Sequence, residues 1–137
     1  MKTRSHTLDA NITTRPNRRA AITAAVVDVV AVVVFVVVGR HNHDEGTTFL
    51  NILGVAAPFL IALGVSWFSL RTWREPFNRA SFVATWIITV VAGLFLRKIV
   101  FDRGIATSFI IVATITLGVL IGLGRLLTRR LTAKISQ

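Results

Sequence analysis

A single carboxylate interrupts an otherwise apolar run: Asp28 stands inside Ala20–Val38, flanked by Val27 and Val29. An acid at mid-span costs about 2.5–3.5 kcal/mol on the insertion scale, so such groups usually face a bundle interior or a water-filled cavity. Two chemistries follow. Asp28 can hold a proton or a cation on a transport path, or it can make a structural hydrogen bond that fixes how helices dock. A second polar set lies just beyond this run, where Arg40, His41, His43, Asp44 and Glu45 fall between Gly39 and Gly46. His, Asp and Glu are metal ligands, but neighbouring loop side chains converge poorly on one ion and no H-E-x-x-H helix organises them, so no metal site is expected. Surface ion pairing with Arg97, Lys98 or Arg103 is the expected role of this cluster, and two histidines beside two acids could also sense pH.

The chain offers little else that could make or break bonds. It has no cysteine, which removes disulfides, thiolate metal sites and a cysteine nucleophile. It has no G-x-S-x-G, no Walker loop, no G-x-G-x-x-G and no second acid near Asp28. No enzymatic activity and no cofactor are expected. The net charge of +10 calls for an anionic partner. Without an aromatic platform or a readout fold, that partner is anionic lipid headgroups and not nucleic acid.

The elements that must position these residues follow from length and hydropathy. Of 137 residues 53% are hydrophobic and only 16% charged, against about 25% charged in soluble domains. Four apolar runs, Ala20–Val38, Phe49–Leu70, Ala80–Leu96 and Gly104–Gly124, account for most of the chain. Roughly 20 helical residues cross a bilayer core, and in lipid an unpaired run must satisfy its own backbone as a helix. The third run is short and is expected to recruit flanking residues such as Phe77 and Ile99. The first is too long for a signal peptide and has no small-x-small cleavage site after Val38, so it reads as a retained span. The fold expected is all-α, an antiparallel four-transmembrane-helix bundle over 20–127. Basic tails at 1–19 and 128–137 flank it, the first of them flexible.

Lys and Arg set the orientation. With both termini on one side, twelve of the sixteen cations fall there, and Arg40, Arg97, Lys98 and Arg103 fall on the other. The positive-inside rule then makes both termini cytoplasmic in a plasma membrane, with Arg71 on the inner face. A dual-topology chain would show a smaller bias.

Depth arithmetic gives Asp28 its expected neighbours. It lies eight residues past Ala20, hence about 12 Å into the first span. At that level the antiparallel arrangement places Ala62–Ser66 on the second span, Thr85 and Thr89 on the third, and Thr114 and Thr116 on the fourth. Asp28 is therefore expected to meet hydroxyls with no cation in the core, and a carboxyl buried that way favours its neutral form and donates to a threonine. Pro58, four residues past Gly54, is expected to kink the second span. Gly118 and Gly122 form a G-x-x-x-G pair, read first as packing within the chain. Trp67 and Trp73 fit an interfacial aromatic belt.

Several of these motifs together resemble a known family. Asp28-Val29-Val30, Gly39-Arg40 followed by His43-Asp44-Glu45, Pro58-Phe59, Arg71 with Trp73 and Pro76, Arg97, and the segment Gly104 to Phe109 occur in the order seen in the domain of unknown function 3054 family. The resemblance covers about Ala20 to Leu127. It implies a small four-helix bacterial plasma-membrane protein and no particular activity. Its pattern singles out Asp28, Arg40, His43, Asp44, Glu45, Arg71 and Arg97.

Two function classes follow. In the first, a small transporter or channel, expected as a homodimer, uses Asp28 as its ion or proton site. Thr85, Thr89, Thr114 and Thr116 line the path, and Arg97 sets charge selection at the mouth. In the second, a structural or accessory subunit docks a partner membrane protein through Asp28 and its glycine face.

Overall fold

The computed structural model describes residues 17–41 and 48–135. Four helices make up the molecule: α1 (Arg18–His41), α2 (Phe49–Leu70), α3 (Arg79–Ile99) and α4 (Thr107–Ile135). Each is long and apolar enough to cross a membrane, and no strand occurs among the described residues. The chain is an all-α, multi-pass membrane bundle.

α1 packs on α2 and α4, and α3 packs on the same two, so the helices form a ring in chain order. Antiparallel neighbours put the start of α1, the α2–α3 turn and the end of α4 at one end, called here the near end. The end of α1 and the α3–α4 turn lie at the far end. α2 against α3 is the closest pairing and α3 against α4 the loosest. A small residue explains the first and bulky rings the second. A Cβ at Gly93 of α3 would run into the ring of Phe59 on α2, so the missing side chain is what admits that ring. On α4, a Cβ at Gly118 would meet Trp86 at 2.8 Å and one at Gly122 would meet Phe82 at 3.2 Å. The G-x-x-x-G face is thus filled from within the chain by two stacked α3 rings, whose bulk holds α3 and α4 apart.

Most of the helix bounds follow the apolar runs, and the differences have physical causes. α3 takes in Ile99 but starts at Arg79, because the Asn78 side chain accepts from the Ala80 N–H at 3.0 Å and caps the helix there. Phe77 stays in the turn. α2 continues through Pro58 as one helix. α4 begins three residues later than the fourth apolar run and continues to Ile135, so the segment expected as a tail after 127 is helical. α2 ends where Arg71 adopts the left-handed conformation at φ 50°, ψ 43° and donates its N–H to the Trp67 carbonyl.

The buried stripe of α1 reads Ala24, Asp28, Ala31, Val32, Phe35, Val36 and Arg40. It is apolar through its middle and charged near each end. Facing it are Phe59 and Leu63 of α2, and Ala113 and Leu117 of α4. Large apolar side chains such as Phe68, Val91 and Leu131 point outward, as expected where lipid replaces water.

Candidate functional site

Asp28 is fully buried, and its partners differ from those expected. Arg125 of α4 reaches it with two nitrogens: Nε donates to Oδ1 at 3.0 Å, and Nη2 donates to Oδ2 in a closer contact. Trp67 of α2 adds a third bond, Nε1 to Oδ2 at 2.9 Å. The remaining arm of the guanidinium, Nη1, donates to the Pro76 carbonyl in the α2–α3 turn at 3.0 Å. The guanidinium also lies 5.8 Å from the Trp67 ring centroid. One arginine therefore ties α1, α4 and the turn together, with α2 joined through the indole.

The expectation of a cation-free core is corrected by this geometry. Arg125 falls just past the fourth apolar run and counts there as a tail cation. Helical spacing carries it inward instead, because Ala113, Leu117, Ile121 and Arg125 recur at four-residue steps on the buried face of α4. The approach is close: a Cβ at the adjacent Gly124 would collide with Val27 of α1. Bidentate pairing suits guanidinium and carboxylate, and an ion pair removed from water needs such geometry to offset its desolvation.

The threonines have other engagements. Thr85 Oγ1 lies 3.5 Å from Thr72 Oγ1 in the turn. Thr114 Oγ1 donates to the Ile110 carbonyl at 2.7 Å, while its own carbonyl accepts from Trp86 Nε1 at 2.9 Å. Thr89 is fully buried, and its hydroxyl has no hydrogen-bond partner among the described residues. Thr116 is half-buried on α4. None of the four contributes to the hydrogen bonds drawn around Asp28.

The far end is built differently. A cavity of about 420 Å³ opens among α1, α2, the end of α3 and the start of α4. Arg40 and Arg97 both line it, so two members of the expected outer polar cluster do come together. Arg40 is only 7% exposed. Arg97 lies over the Phe109 ring, 4.5 Å from its centroid. Phe35, Phe59 and Phe109 pack edge-on and tilted with centroids 5.6–6.2 Å apart, and of the three Phe35 and Phe109 line the cavity. His43, Asp44 and Glu45 lie outside the described residues. Arg71 is exposed at the near end, where it caps α2 through a backbone bond to the Trp67 carbonyl, and not at the far-end cavity. Among the described residues no three His, Cys, Asp or Glu side chains gather as a metal site.

Sequence reasoning missed Arg125 and Trp67. The four-residue stripe on α4 carried the signal for the first. The second carried none, since a tryptophan near a span end fits an interfacial belt equally well.

A ring of membrane-length helices, pinned at one end by a buried ion pair and hollow at the other, defines a small multi-pass membrane protein. The chain belongs to the family described as protein of unknown function (DUF3054), whose profile matches residues 25–128. That match takes in Asp28, Arg40, Trp67, Arg97 and Arg125. No curated protein and no solved structure matches the chain.

Proposed function

We propose that the protein is a small ion-linked transporter of the plasma membrane, closed at its near end by the Asp28–Arg125 pair and open at its far end through the Arg40–Arg97 cavity. The near end, rich in cations, faces the cytoplasm, where it also meets anionic headgroups. The observation that carries this reading is the ion pair itself. A buried pair is no more stabilising than well-packed hydrophobic residues of the same volume. Ionisable groups inside membrane spans mark ion and substrate paths. A pair linking the first helix to the last is also a natural gate: neutralising Asp28 would release Arg125 and loosen three segments at once. The path is revised accordingly. Asp28 and Arg125 form the gate, and the threonines pack the walls.

One observation favours the second reading, an accessory subunit. Both Asp28 oxygens and all three Arg125 nitrogens are engaged, which is also what a permanent clamp requires. Carbodiimide labelling of Asp28 in proteoliposomes, read by mass spectrometry, separates the two. A gate opens part of the time, so the Asp28 carboxyl should take up label, and Asp28→Asn should take up none. A carboxylate that never labels while Asp28→Asn folds normally would overturn the transporter reading in favour of the clamp.

A further inference from the structure

We infer that the groove between the start of α1 and the end of α2 seats one anionic phospholipid, with its phosphate on Arg18 and the upper part of a chain against Trp67 and Trp73. The groove has a volume of about 380 Å³ and is lined by Arg18, Ala21, Ile22, Ala25, Trp67 and Trp73. Its polarity is graded along one helix face. Arg18 is exposed at the mouth, and Ala21, Ile22 and Ala25 follow at three, four and seven residues on the same face of α1. They carry the apolar wall about 10 Å further along the span. A phospholipid has the same order, charge at the headgroup and then carbon toward the bilayer centre. The two alanines provide the space, since short side chains on α1 leave a channel that longer ones would close. Opposite them, both rings are held by other contacts. Trp67 is fixed by its N–H bond to Asp28, and Trp73 packs edge-on against Phe68 with centroids 5.9 Å apart. The walls therefore stand before any ligand arrives, which lowers the cost of binding. Ile22 lines the groove and is also exposed, so the groove opens toward lipid. Arg71 and Arg74 flank Trp73 in sequence and are exposed, and such clustered cations at a membrane surface favour anionic over zwitterionic headgroups. A free phosphate would meet Arg18 and leave the rings uncovered, and an uncharged chain would do the reverse. An anionic phospholipid meets both. A chain packed on Trp67 also steadies the ring that bonds Asp28. The inference rests on the near end lying at headgroup level and is independent of transport.

The test is native mass spectrometry of the full chain released from detergent micelles. It is titrated with phosphatidylglycerol, with phosphatidylcholine, and with phosphatidylglycerol plus excess inorganic phosphate. Phosphatidylglycerol should add as one saturable copy per chain, at least tenfold more tightly than phosphatidylcholine, and phosphate should not displace it. Arg18→Gln alters an exposed side chain, so the variant should fold. It should cut the preference for phosphatidylglycerol to threefold or less. Ala25→Leu narrows the groove and should weaken both lipids tenfold or more. Equal affinity for the two lipids in the wild type, or a preference that Arg18→Gln leaves unchanged, would overturn the site. Displacement by phosphate would overturn the lipid assignment in favour of a free anion. Phosphatidylglycerol that adds in many weak copies, unaffected by either variant, would also overturn the site while leaving general headgroup attraction at the near end intact. An Asp28 that proves inert to carbodiimide bears on the transporter reading alone and leaves this site standing.

Discussion

The two ends of the bundle use arginine in opposite ways. At the near end Arg125 is enclosed: its nitrogens meet a carboxylate and a carbonyl, an indole lies beside it, and little of it reaches solvent. At the far end Arg40 and Arg97 line a cavity, and Arg97 lies over the Phe109 ring. Both ends draw on the same stripe of α1, which carries Asp28 and Arg40 twelve residues, or about 18 Å, apart. The contrast shows that burial alone does not define a site. What matters is how a charge is housed, enclosed among its partners as at Arg125 or set beside a cavity as at Arg97.

Charge removal should break this contrast most strongly. Arg125→Leu leaves Asp28 buried without its cation and should destabilise the protein by about 3–5 kcal/mol in reversible unfolding from mixed micelles. The double variant Asp28→Leu with Arg125→Leu should recover most of that loss. Arg97→Gln at the cavity should cost less than half as much, because water can enter where the guanidinium was. Packing comes next. Gly93→Ala forces Phe59 to move and should cost about 1–3 kcal/mol. Gly118→Ala should behave similarly, since Trp86 is held in place by its bond to the Thr114 carbonyl. Trp67→Phe keeps an aromatic ring but loses the hydrogen bond to the Asp28 carboxylate, a change of about 1.5–3 kcal/mol by the same unfolding assay. The smallest effect is a gain. Arg71→Gly relieves a left-handed residue at the α2 cap and should raise stability by up to about 1 kcal/mol.

How much of this could be read from the residues depends on which kind of contact is asked about. Span number and antiparallel order follow from run length, because lipid forces each run to be a helix. Asp28 is legible as special because an acid in an apolar run is expensive wherever its partner lies. On α2 the depth arithmetic stops one residue short: it places Ala62–Ser66 beside Asp28, and the residue that bonds it is Trp67, read from its position as an interfacial ring. The identity of the charged partner was not legible. Hydropathy windows end at the first charge, and Arg125 directly follows Gly124, so it is counted as tail although its side chain lies in the bundle. The cavity itself had no sequence signature. Arg40 and Arg97 are 57 positions apart, and the antiparallel order that puts both at the outer face was legible, but not the space between them.

The span between Asp28 and Arg125 bears on how the protein is made. The partners are 97 residues apart, on the first helix and the last. At about 5–20 residues per second, roughly 5–20 s of synthesis separate their emergence. α1 must enter the bilayer carrying an acid whose cation does not yet exist. Its central stretch has a higher mean hydropathy than any such stretch of the other three helices, and that run of valines offsets the early cost. The ion pair then closes the ring only once the last helix is in place, which makes it a mark of completed assembly. A chain truncated before α4 would expose a lone membrane-embedded acid, the kind of defect on which quality-control proteases can act.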